Sequence, residues 1–332
     1  MNKDVKVSDL KREYDQKFKP DQEFLDNMPD LQNSDFVGLP IEFVGIRNFH
    51  LPIRIREKGG GTQEVMVNVV GTCSVDSHTK GLNMSRIIRG WNPNKDDIYD
   101  INNLEVILRR YQEEQHSFDA HILMNFKYRI WQESLRSTHI EKCEDHQGYY
   151  EQEVKNGGWQ YYNVTFDVNL DETGEFKKII WVDFLYSSTC PCSTELSFYN
   201  MYERGHYGVP HSQRSIARIG IEAKDVVWIE DVVEYMRKCL TTETQVFVKR
   251  EDEMAFAEKC GADQKFCEDA ARRIADELNT HKEILDYKVI ILHLESLHPF
   301  DAASVITKGI RKSIFNHHVT LGEWNDLARS SC

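Results

Sequence analysis

The same order of elements appears twice along this chain. In the first half, 41–57 and 62–77 are strand-like runs separated by Lys58-Gly59-Gly60-Gly61, a turn signal that predicts a hairpin. Val65, Val67 and Val69 alternate with polar or small residues in the second run. A helical pattern follows over 100–115, with Ile101, Leu104, Leu108 and Tyr111 on one stripe and Asp100 placed to cap it. Two further strands, 120–134 and 158–170, are rich in aromatic and β-branched residues. The second half repeats this with strands at 176–188 and 214–224, helices at 226–240 and 263–278, and strands at 287–295 and 301–309. Ile229, Val232, Val233 and Met236 line the first of these helices; Phe266, Ala270, Ile274 and Leu278 line the second. The halves share no sequence identity, so the common order is an architectural hint. It predicts an α+β chain of two modules, each an antiparallel sheet with helices on one face. The expected boundaries are a polar arm over 1–38, a first module over 39–172 and a second over 173–332, with the junction in the polar turn 170–176.

Length agrees with two units: 332 residues at about 150 per domain. The net charge of −13 argues against broad binding to nucleic acid or anionic membrane, which needs a basic face. It leaves room for a small anion held by a few local Lys and Arg. No apolar run is long enough to span a bilayer, and the charged start carries no apolar signal segment. A cytoplasmic protein with mostly reduced cysteines is therefore expected.

Four stretches of the second half can carry chemistry. Cys190-Pro191-Cys192 is expected where a strand runs into a loop. A thiolate there can bind a metal or attack an electrophile. The Cys-x-Cys spacing argues against a thioredoxin-like pair, and no second pair follows at zinc-finger spacing. Two inert thiols remain possible on spacing alone. His211, in 209–215, opens the next strand and can complete a metal site or lie on the surface; Arg214 beside it can meet phosphate or solvent. The stretch 246–256 begins as a strand-like run and continues into alternating charges, one of which can turn toward a metal. Val289, Ile291, His293 and Glu295 share one face of a regular strand, and Glu295 and His298 bracket its end as an acid/base pair or as polar closing residues. Together these suit a mixed sulfur, nitrogen and oxygen site for zinc, with iron or manganese possible where a carboxylate enters.

The ordered motifs STCPCSTELS, HSQRS, VKREDE, KFCEDAAR and ESLHPFDA over 188–302 resemble the type IB GTP cyclohydrolase family. GLNMSRI at 81–87 looks like that family's loop before its first helix. The resemblance implies a tunnelling fold of two such modules, in a homotetramer with sites at subunit interfaces. It implies hydrolysis of GTP to formate and 7,8-dihydroneopterin triphosphate, at the entry to tetrahydrofolate and pterin biosynthesis. It assigns Cys190, His211 and Glu253 to a divalent metal (zinc, manganese or iron), Cys192, Glu295 and His298 to catalysis, and Glu268 to the guanine. Arg214, with Lys249, Arg250 and Arg86, is a candidate for the triphosphate. The alternatives are a non-catalytic metal-binding protein of this fold, or a related enzyme acting on another purine or pterin. Three departures from the family pattern stand out: a long 198–209 segment that brings His206 as a rival to His211, Phe300 in place of a second histidine, and a longer N-terminal arm.

Overall fold

A computed structural model describes residues 23, 27–28, 35–91, 97–145, 148–308 and 319–329. The expected arm lies almost wholly outside them; 35–40 lead into the first strand as exposed chain.

Nine strands build one sheet: β1 (Ile41–Arg56), β2 (Thr62–Val75), β3 (Ile98–Tyr99), β4 (Ala120–Asp145), β5 (Gly148–Leu170), β6 (Phe176–Thr189), β7 (Ser212–Ala223), β8 (Ile284–His293) and β9 (Ala302–Thr307). Their order is β3-β1-β2-β4-β5-β6-β7-β8-β9. Among the described residues only the short β1–β3 contact is parallel. The helices are α1 (Met84–Gly90), α2 (Leu104–Gln115), α3 (Pro191–Glu203), α4 (Ile229–Cys239), α5 (Arg250–Ala262), α6 (Cys267–Asn279) and α7 (Leu321–Arg329).

Period-two alternation sends Val67, Ile122, Val164, Phe184 and Ile219 to one face of the sheet. Ile87 of α1, Leu108 of α2, Val233 of α4 and Ile274 of α6 meet them there in a single core. Full burial of a side chain such as Phe184 stabilises this layer by about 1.5–3 kcal/mol. The α+β character, an antiparallel sheet with helices packed on one face, is thus as the sequence order implied. The C-terminal helix adds something that order does not show. Leu327 and Trp324 of α7 pack with Ile216, Ile290 and Leu292, a cluster separate from the main core. Ile216 and Ala217 are consecutive on β7, so they point to opposite faces, and α7 covers the second face.

The modules share this sheet. The junction turn is held by Asp171, whose Oδ1 accepts from the N–H groups of Thr173 and Glu175 at 2.9 and 3.0 Å. Across it β5 and β6 pair directly, from Leu170 with Phe176 to Val164 with Val182. Further ties cross between halves. Tyr128 donates to Glu230 at 2.6 Å, and Arg237 joins buried Glu243 at 2.8 Å, where the Tyr162 hydroxyl also donates.

Asp100 does not cap α2. The residue before α2 is Asn103, and Asp100 instead accepts from the N–H groups of Asn102 and Asn103 in a local turn. Strands β4 and β5 run further than expected, because their polar outer halves pair with each other as a two-stranded ribbon from Thr138–Lys155 outward.

Candidate functional site

Strand register brings the first two residues of the site together. Thr189, the last residue of β6, pairs with Ser212, the first of β7. One step further, the Cys190 N–H donates to the His211 carbonyl at 3.2 Å. The backbones of Cys190 and His211 are therefore adjacent, because the β6–β7 ladder ends there. Chain after Cys190 is helix, in contrast to the expected loop. Cys190 has extended backbone and caps α3, and Pro191 occupies its first turn, where a missing N–H costs nothing. Cys192 lies one residue into the helix and is exposed. The rival His206 is exposed and spends its N–H on the Asn200 carbonyl beyond the end of α3.

Glu295 reaches the same place from β8. The strand ends at His293, and the Leu294 N–H bonds the Arg214 carbonyl at 3.3 Å, steering the chain back over β7. The Glu295 carboxylate faces His211 Nδ1 at 3.6 Å, the Gln213 amide at 3.3 Å and His293 Nδ1 at 3.9 Å. Because the strand ends at His293, Glu295 does not continue its face; a turn in which the Glu295 N–H bonds the His293 carbonyl at 2.9 Å brings the two side chains together instead. His298 is elsewhere: it is exposed in the loop after β8 and stacks on Phe300, with centroids 4.7 Å apart.

His293 is buried, and its Nε2 meets the Tyr186 hydroxyl at 2.8 Å. Burial, with help from the Lys265 cation and against the opposing Glu268 carboxylate, pushes its pKa down to about 4. The imidazole is neutral at pH 7. An unfolded histidine titrates near 6.5, so between about pH 6.5 and 4 the unfolded chain binds a proton that the folded chain does not. Stability is therefore expected to fall as pH drops through that window. The urea midpoint of the wild type should decline between pH 7 and pH 5, and His293→Gln should decline less. Equal declines would exclude His293 as the source.

Lys265 is fully buried beneath this network. Its ammonium donates to the Asp263 carbonyl at 2.6 Å and to Thr242 Oγ1 at 3.2 Å, lies 3.1 Å from the Asp263 carboxylate, and sits 5.8 Å from the centre of the Tyr186 ring. Its backbone N–H bonds the Thr189 carbonyl, which ties the start of α6 to the end of β6. That places Glu268, in the first turn of α6, on the same side of the fold. Glu268 is exposed, as its place off the apolar stripe implied; Phe266, expected on that stripe, is exposed too, and Cys267 and Ala271 are buried instead. Hydrogen bonds from its own backbone N–H and from the Cys267 thiol hold the Glu268 carboxyl below the usual range, so it is an anion at neutral pH.

Glu253 is not drawn in with these residues. The stretch read as strand-like becomes helix α5 from Arg250 onward, with Asp252 buried and Glu253 exposed in its first turn. The Asp252 carboxylate accepts from the backbone N–H groups of Arg136 at 2.7 Å, Ser137 at 2.9 Å and Lys249 at 2.9 Å, which anchors this end of α5 to β4. The far end leads into Asp263 and Lys265, beside Thr189. From Glu253 to Ala262 the helix rises about 14 Å at 1.5 Å per residue. Among the described residues no three His, Cys, Asp or Glu side chains are grouped to hold a metal ion. Of the candidates for the triphosphate, Arg214 is exposed on β7 near His211, Arg86 is turned to the Glu114 carbonyl, and Lys249 donates to the Thr138 carbonyl at 3.3 Å.

Gln213, Tyr186 and Lys265 were not singled out by sequence. Gln213 follows His211 by two and so lies on its face of β7, a signal that period two could have supplied.

The fold and site define an α+β protein in which the backbones of Cys190 and His211 meet where β6 gives way to β7, with the Glu295 carboxylate 3.6 Å from the His211 ring. The sequence pattern of the family "Type I GTP cyclohydrolase folE2" matches residues 28–304. The GTP cyclohydrolase FolE2 of Paracoccus denitrificans is 42% identical over 306 residues, covering 90% of each chain. That of Cereibacter sphaeroides is 41% identical over 308 residues, covering 91% of this chain and 81% of the relative. The chain belongs to the type I GTP cyclohydrolase FolE2 family. Among solved structures, the uricase of Arthrobacter globiformis aligns with a TM-score of 0.45 at 11% identity, over 83% of this chain and 96% of that one, too distant to carry an argument.

Proposed function

We propose that this chain hydrolyses GTP to formate and 7,8-dihydroneopterin triphosphate, the entry step of tetrahydrofolate and pterin synthesis. One observation carries the proposal beyond family membership: the β6–β7 register sets Cys190 against His211. Thiolate and imidazole are ligands for zinc, and a carboxylate extends the choice to manganese or iron. A bound divalent ion supplies water of lowered pKa, near 7 in the best cases.

The chain's own residues set the rest. Cys190 and His211 hold the ion from one subunit. Glu253, in the first turn of α5, would complete the shell of a neighbouring subunit's pair, so the working form is an oligomer, a homotetramer with interfacial sites. The modules 39–172 and 173–332 are its repeating units. Glu268, kept ionised, accepts from the ring N–H and the 2-amino group of guanine. His298, exposed in the loop after β8, moves the proton at the guanine imidazole. Cys192, two residues beyond the ligand thiol, positions the opened ring. Arg214, near His211 on β7, meets the triphosphate. No helix of the described residues is long and apolar enough to cross a membrane, which agrees with a cytoplasmic enzyme using the cellular GTP pool.

The test is direct. Purified protein supplied with GTP and Mn²⁺ or Zn²⁺ should release formate and a pterin that fluoresces after oxidation, in equal amounts. Absence of both with every divalent metal would exclude this activity.

A further inference from the structure

The side chain of Gln213 touches three polar groups of the site, and their chemistry fixes which way it faces. A carboxylate only accepts hydrogen bonds. The Gln213 group 3.3 Å from Glu295 Oε1 is therefore the amide nitrogen. The same nitrogen donates to Ser188 Oγ at 2.8 Å, so both of its hydrogens are used. Ser188 in turn shares a 2.7 Å hydrogen bond with Ser215, and both serines are completely buried. The amide oxygen of Gln213 is left facing His211 Nδ1 at 3.1 Å. An amide oxygen accepts and does not donate, and among the described residues the other polar group facing this nitrogen is the Glu295 carboxylate at 3.6 Å. Two acceptors around Nδ1 require a proton on Nδ1. A neutral imidazole protonated there keeps its lone pair on Nε2.

We propose that Gln213 is a positioning residue that holds His211 in the Nδ1–H form and so presents Nε2 to the metal. This rests on His211 being a ligand. A second partner of this kind fixes the tautomer and ring orientation of many metal-binding histidines. An amide suits the position better than a carboxylate would. It carries no charge to repel Glu295, and it passes the orientation of that carboxylate on to the imidazole. The buried serine pair anchors it from behind.

Gln213→Leu keeps the volume and removes both polar ends. Its Zn²⁺ affinity, measured by competition with a chromophoric chelator on protein that elutes as the wild-type oligomer, should fall about 10–100-fold. Nitrogen-15 spectra of metal-free, histidine-labelled protein, with His211 located by its loss in His211→Asn, provide the second readout. The wild type should show a protonated Nδ1 and a bare Nε2 for His211, and Gln213→Leu a mixture of both forms. A wild-type His211 carrying its proton on Nε2 would overturn the proposal, even if the leucine variant fails to fold. So would a Gln213→Leu protein with full Zn²⁺ affinity when His211→Asn has lost it. If His211→Asn itself binds Zn²⁺ as tightly as the wild type, the ligand assignment falls, and the role of Gln213 falls with it.

Discussion

Cys190→Ala is expected to purify without bound metal and to lose GTP turnover by on the order of 10³-fold or more, the scale seen when a reaction centre loses a group that stabilises developing charge. The thiol is the only sulfur ligand of the assigned set, and the β6–β7 ladder gives it no substitute. Its backbone is set by capping α3, a role alanine can fill with little rearrangement, so the fold should survive. Cys192→Ala is the necessary contrast. That thiol is exposed one residue into the helix, and its removal should leave metal content unchanged while lowering turnover. Metal analysis of the two variants side by side checks the assignment. Retention of metal by Cys190→Ala and its loss from Cys192→Ala would mean that the two cysteines exchange roles.

The second large effect is on stability. Asp252→Ala should leave three backbone N–H groups, those of Arg136, Ser137 and Lys249, without their acceptor. At roughly 1–3 kcal/mol for each buried unpaired donor, the loss is about 3 kcal/mol or more. Urea unfolding of the variant measures it, and a cost under 1 kcal/mol would show that water replaces the carboxylate freely. Burial alone would raise the pKa of this group, but hydrogen bonds from Ser137, Lys249 and Arg136 outweigh it and hold the carboxyl well below its ordinary range. With the folded pKa depressed, its contribution is fully present above about pH 4 and is lost only as pH falls below that. Because Glu253 is the next residue, Asp252→Ala should also weaken metal binding in the oligomer.

The parts of the fold that sequence made legible are those that bury a face. Leu104, Leu108 and Tyr111 of α2, Val232, Val233 and Met236 of α4, and Ala270, Ile274 and Leu278 of α6 are buried, as their spacing implied. Helices α3 and α5 were missed for the complementary reason. Thr194 is the only buried residue of α3, while Leu196, Phe198, Tyr199 and Tyr202 are exposed. In α5 only Asp252 and Ala255 are buried. Neither helix writes a stripe into the sequence. What did mark them was local: Pro191 in a first turn, and Asp252 accepting from the N–H of Lys249 three residues before it. In the site, Cys190, His211 and Glu295 were visible as residue types that bind or transfer protons. Gln213 and Lys265 were not, because composition places glutamine and lysine at the surface, and only their burial reveals them. The separation of Glu253 from Cys190 and His211 was equally invisible, since it depends on the length of a helix that in the sequence reads as a run of alternating charges.

That separation gives the account its sharpest consequence. Cys190→Ala and Glu253→Gln, each inactive alone, can be co-expressed with different affinity tags and purified through both, so that every oligomer contains both kinds of subunit. A site shared between neighbours pairs the intact Cys190 and His211 of one subunit with the intact Glu253 of the other, and the mixed oligomers should regain metal and formate release from GTP. Mixed oligomers that assemble but stay inactive and metal-free would contradict the shared site.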